Sequence, residues 1–131
     1  MNVRFLNPST VLKPPGYTHV VEATGPGRIV YIAGQIGADR DRNIPREARA
    51  QMVQAFENLK AALAEVGATF KDVVKINNYL VEGAQMQDFR EVRDTYVNTA
   101  APPASTTVYV SKLAIEGLVF EVEAVAVLPP K

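Results

Sequence analysis

Cysteine is absent from this sequence and histidine occurs once, as His19. These two shortages exclude a disulfide framework, a thiol nucleophile and a zinc set of the usual Cys/His kind. They also suit a reducing compartment. Net charge is missing as well, since fourteen basic residues balance fourteen acidic ones, and the basic cluster Arg40, Arg42, Arg46 is interrupted by Asp39 and Asp41. No overall field draws such a chain toward nucleic acid or an anionic membrane, and neither partner is expected. No run approaches the ~18 apolar residues of a membrane span, and the first eight residues lack the apolar stretch of a signal peptide, so the expected location is the cytoplasm. What is present is an ordinary globular composition, 47% hydrophobic and 21% charged over 131 residues, which predicts one domain covering residues 1–131.

Pro8 to Gly16 is rich in Pro and Gly and reads as an ordered loop that ends at Tyr17. Two strands are predicted after it, Thr18 to Ala23 and Arg28 to Ile36. The stretch Thr24-Gly25-Pro26-Gly27 between them has the glycines of a tight reversal, which predicts a β-hairpin. From Arg46 to Val66 the apolar residues Met52, Ala55, Phe56, Leu59, Leu63 and Val66 recur at intervals of three and four, the stripe of an amphipathic helix, with Gly67 as its stop. Asp72 to Val81, rich in Val, Ile and Tyr, predicts a third strand. Gln85 to Asn98 predicts a second helix carrying Phe89, Val92 and Tyr96 one turn apart, and Pro102-Pro103 forbids its continuation.

Two further strands close the chain. In Ser105 to Val110, alternation puts Ser105, Thr107 and Tyr109 on one face and Thr106, Val108 and Val110 on the other. In Leu118 to Val127 the row Leu118, Phe120, Val122, Ala124, Ala126 is wholly apolar, whereas the opposite row sets Glu121 and Glu123 among Val119, Val125 and Val127. Two helices can cover one face of such a sheet, and the apolar row is the natural one to be covered. The mixed row predicts burial against another copy of the chain, with scattered surface valines and ordinary surface glutamates as the alternative.

The order strand, strand, helix, strand, helix, strand, strand, together with several local sequences, resembles the RidA family, also known as YjgF or endoribonuclease L-PSP proteins. The pieces are Gly16-Tyr17, Ala33-Gly34-Gln35-Ile36, the stretch Gly67 to Lys75, Pro102-Pro103-Ala104, and Glu121 to Val127. The resemblance implies an α+β fold like that of the bacillus type of chorismate mutase: a mixed sheet with two helices on one face, three copies joining their sheets into a barrel, and small-molecule clefts between subunits. It also implies hydrolysis of enamines and imines derived from amino acids, releasing ammonia without metal or cofactor. The partners implied are the chain itself, as a homotrimer, and a small carboxylate- or imine-containing ligand. An RNA-cleaving activity, suggested only by one family name, is opposed by the neutral charge and the lack of a catalytic histidine pair.

At one position the sequence departs from the family pattern. Where the resemblance implies an arginine that fixes the substrate carboxylate, this chain has Ser105, in Pro103-Ala104-Ser105-Thr106. Loss of a desolvated charged partner commonly costs ~2 to 5 kcal/mol. The usual 2-imino acid activity is therefore put in question, and a non-catalytic binding or regulatory trimer stands as the alternative. By the same resemblance Glu123 is the expected catalytic group, orienting water, and Glu121 a structural one. Tyr17, Gly34, Arg93, Ser105 and Thr107 are the expected ligand-binding residues. Arg93 stands where the family often has asparagine, so it either restores the lost charge or pairs with Glu91 or Asp94. Tyr17 either walls the pocket or packs at the sheet edge, and Gly34 either approaches the ligand or forms a bulge. Alternation on the last two strands places Ser105, Thr107 and Tyr109 on the face of Glu123, as its neighbours if those strands pair. His19 reads as structural.

Overall fold

A computed structural model describes all 131 residues. Its strands are β1 (Asn2–Leu6), β2 (Val20–Thr24), β3 (Arg28–Ile36), β4 (Val73–Leu80), β5 (Ala104–Tyr109) and β6 (Phe120–Leu128), and its helices are α1 (Ala48–Glu65) and α2 (Met86–Tyr96). Four strands form a mixed sheet in the order β3-β6-β4-β5, with β4 and β5 parallel and the other pairs antiparallel. Both helices lie on one face of it, so the expected α+β architecture is present.

The core forms because three rows of apolar side chains meet. α1 contributes Met52, Ala55, Phe56, Leu59 and Leu63, and α2 contributes Phe89 and Val92. The sheet contributes Phe120, Val122, Ala124 and Ala126, the row expected to be covered, together with Ile76 and Leu80. The Phe56 ring stacks on Phe120 and on Tyr96, with centroids 5.7 and 5.2 Å apart, tying helix to sheet and helix to helix. Gly67, at φ 77°, ends α1 by letting the Ala68 amide turn back to the Leu63 carbonyl at 2.9 Å. No helix is long and apolar enough to cross a membrane.

The expected hairpin is not there. β2 pairs with β1, a strand not anticipated from the sequence, and these two make a separate sheet. The reason lies at Thr18, whose amide donates to the Pro103 carbonyl at 3.2 Å and whose hydroxyl donates to the Pro102 carbonyl. Those carbonyls lead into β5, at the opposite edge of the sheet from β3. The chain therefore enters β2 from the far edge and cannot run alongside β3 from its start.

β3 carries a bulge. Ile32 pairs with Ala124 but Gln35 with Val122, so Ala33-Gly34 inserts one extra residue against β6.

Candidate functional site

Register decides which side chains can meet. Across β5, β4 and β6 the paired residues Ser105, Ile76 and Ala124 share one face, as do Thr107, Asn78 and Val122, and both sets point toward the helices. On the opposite, uncovered face Thr106, Asn77 and Glu123 lie in line, followed by Val108, Tyr79 and Glu121. Ser105, Thr107 and Tyr109 therefore do not share the face of Glu123. Nor are the two strands neighbours, because β4 runs between them. Alternation gives parity within a strand, and the phase between strands comes only from pairing.

Four of the expected ligand residues do come together. Tyr17, Arg93, Ser105 and Thr107 line a cleft of about 330 Å³ between the N-terminal loop, α2 and β5, completed by Pro15, Met86, Phe89, Arg90 and Thr106. Arg93 is 6% exposed. Its Nε donates to Asp94 Oδ1 at 2.9 Å, and its guanidinium carbon lies 5.5 Å from the Phe89 ring centroid. Arg93 thus pairs with Asp94 and also walls the cleft. Gly16, at φ 89°, makes room for it, since a Cβ there would overlap Arg93 Nη2. Tyr17 meets the His19 ring edge-on at 5.3 Å, and His19 Nε2 donates to the Leu12 carbonyl at 2.7 Å, so His19 helps hold the loop that carries Tyr17.

Beneath the two hydroxyls sits Asn78, which the sequence reading missed. It is fully buried, and its amide nitrogen donates to Ser105 Oγ at 2.9 Å and to Thr107 Oγ1 at 3.2 Å. A polar residue in the middle of an apolar row was the available signal.

Gly34 and Glu123 lie outside that cleft. Glu123 Oε1 accepts from Tyr79 Oη at 2.7 Å and from Asn77 Nδ2 at 3.0 Å, beside a hollow of about 490 Å³ that also touches Tyr31, Ala33 and Lys75. The bond to Glu123 holds the Tyr79 phenol above its ordinary range. Glu121 differs from Glu123 in having no hydrogen-bond partner. Its carboxylate folds over the bulge so closely that a Cβ on Gly34 would overlap Oε2. Burial first, and the charge of Glu123 second, push the Glu121 carboxyl above its ordinary range. The uncovered face around this pair also exposes apolar side chains: Ile29 is 59% and Tyr31 79% exposed, and Val108 is also exposed.

The family model described as Endoribonuclease L-PSP matches residues 12–128. The chain belongs to the RidA family. Among curated relatives, a RutC family protein of Pyrococcus abyssi is 33% identical over 119 residues, 87% of this chain and 88% of the relative. A protein of Dermatophagoides farinae named 2-iminobutanoate/2-iminopropanoate deaminase is 32% identical over 124 residues, 92% of this chain and 94% of that protein. Among solved structures, YyfB of Yersinia pestis, described as a protein of unknown function of the conserved Rid family, superposes with a TM-score of 0.83 at 32% identity. That match covers 98% of this chain and all of the other.

Proposed function

We propose that this RidA-family protein is a cytoplasmic homotrimer that hydrolyses a small imine or enamine at clefts between subunits. The observation that carries the reading is the pair of carboxylates on the uncovered sheet face. Glu123 is occupied by Tyr79 and Asn77, whereas Glu121 is free, half-buried and favours its proton. A carboxylate whose pKa is raised is a stronger base than an ordinary one. The role first given to Glu123, orienting water, passes in this reading to Glu121, and Glu123 becomes the fixed anion that tunes it.

In the reaction, Glu121 takes a proton from water as the oxygen bonds to the imine carbon, the C=N π electrons move to nitrogen, and Glu121 passes that proton on to the nitrogen. The resulting carbinolamine then collapses: Glu121 takes the hydroxyl proton and returns it to the nitrogen, the C–N bond breaks, ammonia leaves, and the oxygen becomes the carbonyl of a keto product. Arg93, Ser105 and Thr107 hold the other end of the substrate. Because those three lie on the helix side of the sheet and Glu121 on the uncovered side, one ligand reaches both only when a second copy supplies one of the two sets. The exposed Ile29, Tyr31 and Val108 support such association.

The test is ammonia release from freshly generated 2-iminobutanoate. Wild-type protein is expected to exceed the buffer rate, and Glu121→Gln to lose at least ~100-fold of that rate. Release at the buffer rate by the wild-type protein would overturn the reading. Ser105 favours a second one, a trimer that binds a ligand without turning it over, because a hydroxyl replaces the rigid charged fork implied at that position. Saturable binding of 2-oxobutanoate with no ammonia release from the imine would select it.

A further inference from the structure

Asn78 has no counterpart among the residues assigned a role so far, yet its hydrogen bonds fix what the cleft can bind. Its Nδ2 faces three acceptors: Ser105 Oγ at 2.9 Å, the Thr106 carbonyl at 3.2 Å and Thr107 Oγ1 at 3.2 Å. A carbonyl oxygen can only accept, so the amide edge turned toward Thr106 must be the NH2 edge, which removes the usual ambiguity of an asparagine. Two N–H hydrogens are then shared among three acceptors. The other end of the amide, Oδ1, is buried without any donor, a standing cost in a core that otherwise leaves no buried side-chain polar atom unpaired.

The consequence concerns the hydroxyl hydrogens. Ser105 and Thr107 each accept from Asn78, and neither donates to any group of the protein. Their O–H bonds are left to donate into the cleft. On the facing wall Arg93 uses only Nε, toward Asp94, and the lining includes a second arginine, Arg90, but no carboxylate. We infer that Asn78 is a positioning residue that occupies one lone pair on each of the Ser105 and Thr107 hydroxyls and leaves their hydrogens free to donate, and that with Arg93 they form a donor-rich pocket selecting a carboxylate over its neutral amide. The pocket restores, from three weaker donors, an anion preference that a single arginine at position 105 would have supplied. This inference rests on the proposed ligand cleft but not on turnover within it.

The experiment compares two stable probes on the full chain by calorimetry: 2-oxobutanoate, which offers a carboxylate, and 2-oxobutanamide, which presents an NH2 group to donors. Wild-type protein is expected to bind the carboxylate at least ~10-fold more tightly. Asn78→Asp demands donors from both hydroxyls and so turns their lone pairs into the cleft. The preference is then expected to vanish or invert, while affinity for the amide changes less than about 3-fold. A merely structural role for Asn78 would weaken both probes alike, and that result, or an intact preference in Asn78→Asp, would overturn the inference. Should Asn78→Asp fail to fold, the double variant Ser105→Ala/Thr107→Val at the partly exposed surface removes the two donors directly: the carboxylate preference is then expected to fall, and an intact preference would overturn the inference. The functional reading fails separately. If the imine releases no ammonia but the probes discriminate, hydrolysis falls and the pocket stands. If ammonia is released and Asn78→Asp leaves both KM and the probe preference unchanged, the pocket falls and hydrolysis stands.

Discussion

Glu121 and Glu123 stand two residues apart on one strand, yet their surroundings pull them toward different chemistry. Two donors hold Glu123, whereas burial and the neighbouring charge push the Glu121 carboxyl upward from its ordinary 4.5. A carboxyl whose folded value is raised binds more protons in the folded chain than in the unfolded one through the window above 4.5. Stability therefore falls as pH rises through that window, and the cost persists at neutral pH. Glu121→Gln removes the cost. Its melting temperature is expected to exceed that of the wild type by about 1 to 3 °C at pH 7, with the gap closing near about pH 3.5, where both carboxyl states are protonated. A gap of the same size at both pH values would show that ionisation of Glu121 carries no penalty. A more stable but inactive variant is the usual signature of a group kept for function at the expense of folding.

At the scale of elements, the bulge in β3 sets the position of that carboxylate. A methyl added at Gly34 meets the Glu121 side chain from Cγ outward, which can rotate aside, whereas one added at Gly37 meets the Cβ, Cα and carbonyl of Gln51. Gln51 cannot yield, because its amide is buried and bonded to the Pro45 and Gly117 carbonyls and to the Val119 amide. Gly37→Ala is therefore expected to destabilise by about 1 to 3 kcal/mol in denaturant unfolding. Gly34→Ala is expected to shift stability by less than about 1 kcal/mol while lowering ammonia release at least ~10-fold, since the base is displaced and the fold is not. An equal loss of stability in both would remove the distinction. The same elements show what the sequence could and could not disclose. β3 was legible to the residue, and so were the apolar row of β6 and the stripe of α1, because each follows from a periodicity inside one element. The pairing of β2 was not, because Gly25-Pro26-Gly27 marks a reversal without naming the partner, and the bonds of Thr18 to Pro102 and Pro103 span the chain. For the same reason Ser105 and Glu123 were set on one face when β4 separates them, and Asn78 passed unnoticed between Ile76 and Leu80. Arg93, Ser105, Thr107 and Tyr17 gathered as expected, since the motifs of the family carry their relative placement.

For the whole molecule, the division of the site between the two faces of the sheet becomes a statement about assembly. The donor-rich cleft looks toward the helices, and Glu121 looks out from the face that leaves Ile29 and Tyr31 bare. In the proposed closed ring, each cleft of one protomer would meet the uncovered face of the next, so that every site would draw Arg93 from one copy and Glu121 from its neighbour. Two inactive proteins then repair each other. Arg93→Ala protomers still supply an intact Glu121, and Glu121→Gln protomers still supply an intact Arg93. Neither variant alone is expected to release ammonia above a few per cent of the wild-type rate. When equal amounts are unfolded together and refolded, random assembly leaves about one site in four with both native groups, and activity should return to roughly a quarter of the wild-type level. A site contained within one chain gives no such recovery, because every chain in the mixture carries a lesion. Sedimentation of the mixture alongside each parent confirms that the variants still associate, so that a failure to recover activity counts against the shared site and not against assembly.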